Sequence, residues 1–428
     1  MTERRSASSA TEPPTEPPTE PPIDAAPPAP ALPRGAITCL SLAAFGSGLS
    51  LRINDALLPK LAAEFAVTLG QASQVVSAFA IAYGVAQLVF GPLGDRYGKY
   101  RVVAWAALAC AVSALLCAVA PGFLALRAAR VLAGISAAAI IPLAMAWIGD
   151  VVPYAQRQPV IARFLIGQIA GLSLGVGLGG FAADYLTWRT PYVLIALLFA
   201  GVWAALLTLD RRLPAPARLT RPRGAAPLRE AIAEFGAVLT DPWARVLQGL
   251  VFLEGLFLYG PFAFIAAHMH HTFGLSLTAS GAVLMLFGAG GLVFAVAARA
   301  LVGGLGEAGL VRWGGAVLVV AYLAVGLAPS WQWPLAGCFL AGVGFYMVHN
   351  TLQVNATQMQ PERRGAAVSA FAACFFLGQS VGVTLSGFWV EAFATRGLLV
   401  VGALGLAGVA WLFASRLARR AGQSAGLA

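Results

Sequence analysis

From residue 36 onward, apolar stretches of about twenty residues alternate with short polar connections. Twelve such stretches occur: 36–58, 71–91, 102–120, 123–147, 159–181, 190–209, 244–267, 277–298, 309–328, 333–356, 366–389 and 397–415. Each is close to the ~20 residues that carry a helix across ~30 Å of hydrocarbon. The pattern predicts an all-α membrane protein with twelve transmembrane helices. The longest connection, 210–243, is too polar to span, so six segments precede it and six follow. The predicted organisation is a tail over 1–34, a six-helix bundle over 35–209, a central loop over 210–243, a second six-helix bundle over 244–416 and a tail over 417–428.

Composition agrees. Of the 428 residues 59% are hydrophobic and 11% charged, with a mean hydropathy of +0.78. A soluble domain carries about 25% charge, so this chain has too little to cover a soluble surface. The tail is different: "TEPPTEPPTEPP" (11–22) is repetitive, proline-rich and acidic, and is expected to be disordered. It has no apolar core of a cleaved signal, so the first span is expected to direct its own insertion. The five cysteines (Cys39, Cys110, Cys117, Cys338, Cys374) lie in predicted spans without metal-ligand or CxxC spacing, and read as small buried residues.

The net charge of +10 is distributed by topology. With the amino terminus inside the cell, the cytoplasmic side collects 22 of the 28 Lys and Arg, and the opposite side three: Lys60, Arg189 and Arg396. That bias places both termini in the cytoplasm of a multi-pass protein of the cell (inner) membrane. The basic charge is therefore a topology signal, and no nucleic-acid partner is expected.

The halves echo one another. "IGDVVPYAQRQPVIARFLIGQIAGLSLGVGLGGF" (148–181) resembles "ATQMQPERRGAAVSAFAACFFLGQSVGVTLSGF" (356–388). Pro153 and Pro361 are 208 positions apart, and the Gly-Gln pairs at Gly167 and Gly378 are 211 apart. Chance similarity between apolar helices is the alternative. Repeated halves with a site between them are a common build for secondary transporters.

Between the second and third segments stands "GPLGDRYGKYRVV" (91–103). A tight basic turn accounts for Gly91, Gly94, Gly98, Arg96, Lys99 and Arg101, but leaves Asp95 unexplained. The run Gly91-x-Leu93-Gly94-Asp95-Arg96-x-Gly98-Lys99-x-Arg101 resembles the loop signature of the major facilitator superfamily. The resemblance covers residues 35–416 and implies the major facilitator fold, two pseudo-symmetric six-helix bundles. It further implies that Asp95 meets the amino-terminal end of the eleventh helix, where a carboxylate is favoured, and latches the halves at the cytoplasmic face. Asp150 and Arg157, in "GDVVPYAQR", resemble companion positions that would form a charge network with Asp95 and Arg101. The matching connection in the second half (299–315) keeps glycines but lacks the aspartate; either Glu307 substitutes for it or this copy is degenerate.

Charges inside spans are costly and mark cavities, partners or proton routes. Arg52 and Asp55 stand three apart on one predicted helical face of the first segment, with Arg127 and Arg130 in the fourth. In the superfamily these helices line the central cavity, and "RVLAG" (130–134) resembles a motif that begins with a functional arginine. Asp55 is then a proton site that holds its proton when isolated and releases it when paired with arginine; a permanent salt bridge is the alternative. Glu254, near the middle of the seventh segment, has no partner on its own helix, and would bind substrate or a proton, or form a neutral helix contact. His349, Asn350 and Gln353 would line a polar pocket or join helices. The "HMHH" run (268–271) is read as a titrating loop at the membrane rim rather than a metal site.

Gly167, Gly171, Gly175 and Gly179 form a stripe that allows close helix packing. The stripe resembles the fifth-helix signature of drug:proton antiporters, except that Val176 stands where that signature has proline. The resulting expectation is a monomeric, proton-coupled secondary transporter without cofactor or metal, exporting a small amphipathic or cationic solute. Alternatives are an importer of a sugar or organic acid, and a receptor or scaffold that does not transport. No phosphate-cradling loop, metal-ligand pair or catalytic nucleophile motif suggests an enzyme.

Overall fold

A computed structural model describes residues 33, 35–218, 227–360 and 364–425. Most of the predicted 1–34 tail, and Pro361 of the internal repeat, lie outside them. The helices in chain order are α1 (Ala36–Arg52), α2 (Leu58–Phe65), α3 (Leu69–Ala72), α4 (Gln74–Tyr97), α5 (Lys99–Ala118), α6 (Phe123–Ala137), α7 (Ile140–Val151) and α8 (Tyr154–Tyr185). They continue with α9 (Thr190–Asp210), α10 (Pro227–Val238), α11 (Pro242–Phe262), α12 (Ile265–Phe273), α13 (Leu277–Gly326), α14 (Trp333–Gln358), α15 (Arg364–Ala392) and α16 (Thr395–Ala425).

Every predicted apolar segment falls on helix. Among the described residues, ten helical stretches are long and apolar enough to cross a membrane, and one of them, Leu277–Gly326, holds 50 residues. That stretch contains the eighth and ninth segments and turns at Gly306, whose φ of 64° and ψ of 177° suit glycine. The first segment is the 17-residue α1, continued through a turn at 53–57 into α2. Large apolar side chains lie open on the outside, among them Leu197, Val296, Phe388 and Trp411. Such a surface suits lipid rather than water.

Two apolar cores form. One draws mainly on α1–α9, the other mainly on α11–α16. Each is built on a close pairing of two parallel helices. Gly171 and Gly175 of α8 lie against the carbonyls of Phe45 and Leu49 on α1, where an added Cβ would collide. In the second half Gly378 and Gly382 of α15 lie against the carbonyls of Phe252 and Leu256 on α11. All four positions in the second set stand 207 after their counterparts. Gly167 and Gly179 extend the first seam onto Ser41 and Ile53. Packing thus corrects the repeat read from the Gly-Gln pairs: Gly378 corresponds to Gly171, one helical turn from Gly167. Contacts between backbones, rather than residue identity, set that register.

The stretch 91–103 is mostly helical rather than a loop. α4 continues to Tyr97 through Pro92, and the chain reverses at Gly98, whose φ is 89°. Part of the predicted central loop is also ordered: α10 packs against both α4 and α15, with Val238 buried in the second core.

The halves meet along two seams, α4 with α15 and α8 with α13. On the first, Ser380 donates to the Ser77 carbonyl at 2.9 Å and Tyr83 packs on Phe376. On the second, the α8 glycines Gly177 and Gly180 sit against Met285 and Leu277.

Candidate functional site

The first helix of each half breaks at equivalent places. α1 gives way to a turn over 53–57, and α11 stops at Phe262 before resuming as α12. Irregular backbone at membrane depth persists only where protein covers it, and Ile53, Asn54, Asp55, Ala56 and Leu57 are all fully buried. Arg52 and Asp55 therefore do not share a continuous helical face, as their spacing suggests. The turn brings them together.

Arg52 Nη1 donates to Asp55 Oδ2 at 3.1 Å, and both side chains are buried. The guanidinium carbon stands 3.6 Å from the centre of the Tyr259 ring and 5.3 Å from that of Phe262, both on α11. A desolvated cation–π contact of this kind contributes ~2 kcal/mol, so the charge of the first half is held by the second. Arg130 occupies another position than expected. It donates to the main-chain carbonyls of Ser50 (2.9 Å) and Val75 (3.1 Å) and stacks over Phe79, rather than bonding Asp55. Asp55 Oδ1 and Arg130 Nη2 have no hydrogen-bond partner among the described residues. Arg127, nearer the helix start, bonds the Gln74 side chain at 2.6 Å.

Glu254 does have a partner, on another helix. Its Oε2 lies 2.8 Å from His349 Nδ1 of α14. Glu254 is fully buried, and its Oε1 is unpartnered among the described residues. The His349 ring is packed among Phe345, Phe371 and Phe375 at centroid distances of 4.8, 5.5 and 4.7 Å. Glu254 and Tyr259 lie on one helix, so both acid–base pairs are attached to α11. Among the described hydrogen bonds, Asn350 and Gln353 do not join this pair; Gln353 is exposed and Asn350 half-buried. Sequence spacing also passed over Gln248 and Gln379. Both are buried, and their side-chain amides have no partners among the described residues.

At the end of the molecule that carries the basic connections, Lys99 is the centre of a charge cluster. Its Nζ lies 3.3 Å from Asp95 Oδ1 and 2.5 Å from Asp150 Oδ2. Arg157 donates to the Val152 carbonyl, Arg96 lies beside Tyr97, and Arg101 is exposed. The cluster joins Asp95 to Asp150 through Lys99, and Arg101 takes no part in it among the described contacts. A Cβ at Gly94 would press on the end of the Leu143 side chain, whereas Gly91 has open space around it. Glu307 does not take the place of Asp95; it accepts from Asn355 within the second half.

His268 is buried rather than part of an exposed loop. It is bonded to Thr395 and to the Val325 carbonyl. No cluster of three potential metal ligands occurs among the described residues.

Two helical bundles around buried acid–base pairs define a multi-pass membrane transporter. The family model of the Major Facilitator Superfamily matches residues 40–383, and the chain belongs to that family. It is 27% identical over 336 residues to the uncharacterized MFS-type transporter YceJ of Bacillus subtilis (strain 168), covering 78% of this chain and 83% of that protein. It is 28% identical over 171 residues to the multidrug export protein EmrB of Escherichia coli (strain K12), covering 40% of this chain and 33% of that one. Among solved structures, a POT family transporter in complex with a thioalcohol-conjugated peptide superposes with a TM-score of 0.74 at 11% identity, over 88% of this chain and 95% of that one. The human organic anion transporter MFSD10 superposes at 0.68 with 20% identity, over 89% and 99%. At these identities the structural likeness concerns the fold.

Proposed function

We propose that this transporter is proton-coupled and exports a small amphipathic or cationic solute by alternating access. The observation that carries the proposal is the pair of buried carboxylates, Asp55 and Glu254. Each is held by a base through one oxygen and keeps the other unpartnered among the described residues. A carboxylate so placed gains by binding a proton or a cation. Arg52 offers Asp55 a competing charge, and the His349 partner of Glu254 is packed among the rings of Phe345, Phe371 and Phe375, whose faces suit a flat or cationic solute. Export is favoured by the glycine stripe of α8 and by the likeness to the multidrug export protein EmrB.

Purified protein in liposomes loaded with a pH-sensitive dye tests this. A lipophilic cation is expected to drive protons in the direction opposite to its own movement. Proton movement alongside a sugar or organic anion would make the protein an importer, and no proton movement with any solute would remove the coupling.

Asp95 is assigned to the cytoplasmic gate. α4 and α15 run antiparallel, with Gly70 against Gly387, Ser77 against Ser380 and Gly84 against Ala373. Continued at the same register, the pairing brings Leu93 level with Arg364, the first residue of α15, and leaves Asp95 just beyond that helix start. Asp95→Asn is expected to slow turnover by about tenfold or more, the worth of one charge-assisted contact, while leaving ligand affinity in place. Transport at the original rate would remove Asp95 from the gate.

A further inference from the structure

The face opposite the basic connections is closed by two contacts that repeat the symmetry of the halves. At the end of α8, the Asp184 carboxylate accepts from the main-chain N–H groups of Leu277 (3.3 Å) and Thr278 (2.7 Å) at the start of α13. Thr278 returns a hydrogen bond from its hydroxyl to the Gly180 carbonyl at 3.3 Å. At the end of α15, Glu391 accepts from the hydroxyl of Thr68, which also caps α3 by accepting from Gln71 N–H at 3.0 Å. Each contact joins one half to the other.

The two carboxylates occupy equivalent positions. Glu391 stands 207 residues after Asp184, the same offset that relates the helix seams of the two halves. One turn earlier, Gly180 lies against the Leu277 carbonyl, and Gly387 against that of Gly70. Gly387 follows Gly180 by 207, and Leu277 follows Gly70 by 207. A carboxylate on the last turn of a helix and a glycine one turn below it are thus used twice, once per half. The glycines allow the helix backbones to touch, and the carboxylates fasten them.

We propose that Asp184 and Glu391 form a two-point latch that holds this face shut and must release before the halves can part there. The setting suits reversible use. Both carboxylates are exposed, and exposed polar contacts contribute little, so the latch closes the face without trapping it. The proposal rests on movement of two halves and is independent of the coupling ion and of the solute.

Hydrogen–deuterium exchange on the full-length protein in nanodiscs tests it, with the double variant Asp184→Ala/Glu391→Ala. Exchange over 69–73 and 277–281 should rise by about fivefold, the shift that two exposed contacts of about 0.5 kcal/mol each produce together in a two-state equilibrium. Exchange over 93–103 and 150–157, at the far face, should fall in parallel, because opening one face closes the other. A rise confined to 69–73 and 277–281 would reduce both carboxylates to local helix caps and overturn the latch. Unchanged exchange at both faces would overturn it as well. The variant Asp184→Glu/Glu391→Asp, which keeps both acceptors, should exchange more like the original protein than the alanine variant does; equal loss in both would also count against the latch.

Discussion

Replacing Glu254 by glutamine is expected to abolish proton-coupled transport and to lower affinity for a cationic solute by about 10–100-fold. The magnitude follows from the ~1.5–3 kcal/mol carried by a hydrogen bond to a charged group, at tenfold per ~1.4 kcal/mol. Glutamine keeps the shape and one acceptor toward His349, so the aromatic packing around that ring should persist. What disappears is the negative charge and the place for a proton. Binding of a fluorescent cation, measured by titration, reads the first loss, and dye-monitored proton flux reads the second. Unchanged binding would place the solute elsewhere. Unchanged flux would make the Glu254–His349 contact a helix–helix brace.

The second large effect is expected at Asp55. In Asp55→Asn the Arg52 guanidinium stays buried without its carboxylate, and removing one member of a buried ion pair costs about 3–5 kcal/mol. Thermal unfolding should therefore shift downward. Gradient-driven uphill transport should be lost, while downhill exchange, which needs no proton site, continues. The double variant Arg52→Met/Asp55→Leu separates the two readings of this pair. Replacing a buried pair by apolar residues of similar size is often neutral or stabilising, so unfolding should recover. If Asp55 carries protons, uphill transport stays lost in the double variant. If uphill transport persists in Asp55→Asn, the pair is a permanent salt bridge.

These two predictions meet on α11. Tyr259 holds Arg52 through its ring, and Glu254 lies on the same helix. Loss of charge at Asp55 frees Arg52 to lean further on Tyr259, and α11 is the helix whose Gly255 touches the Phe375 carbonyl of α15. Under the proposed coupling, a proton taken up at Asp55 would reach the second half through Arg52, Tyr259 and the close contact of α11 with α15. Coupling of this kind needs an element with two arrangements that both sites bias, and the breaks at 53–57 and at Ala263–Phe264 supply places where the chain can bend.

The Arg52–Asp55 pair was legible because its members stand three positions apart and both are costly in a span. Glu254 was legible for the same reason, and so was the Asp95 stretch, whose charge and glycines interrupt apolar sequence. The Glu254–His349 contact was not, since 95 positions separate the two residues. Tyr259 was passed over because an aromatic residue in an apolar helix is ordinary. Asp184 and Glu391 were passed over because acidic residues at helix ends are ordinary too; only their partners on the other half single them out.

By itself the sequence determined the apolar spans, their division around a polar centre and the charge bias between the two faces. These are local properties, set by the cost of placing polar groups in hydrocarbon. Only the tertiary structure decided how the spans register. Backbone contacts at Gly171, Gly175, Gly378 and Gly382 fix the offset of 207 between the halves, where the Gly-Gln match misplaced it by a helical turn. Glycines set those seams because each admits a neighbouring carbonyl that any larger side chain would hold away, and the fold they help to build places Arg52 on Tyr259 and His349 on Glu254, contacts between residues far apart in the chain.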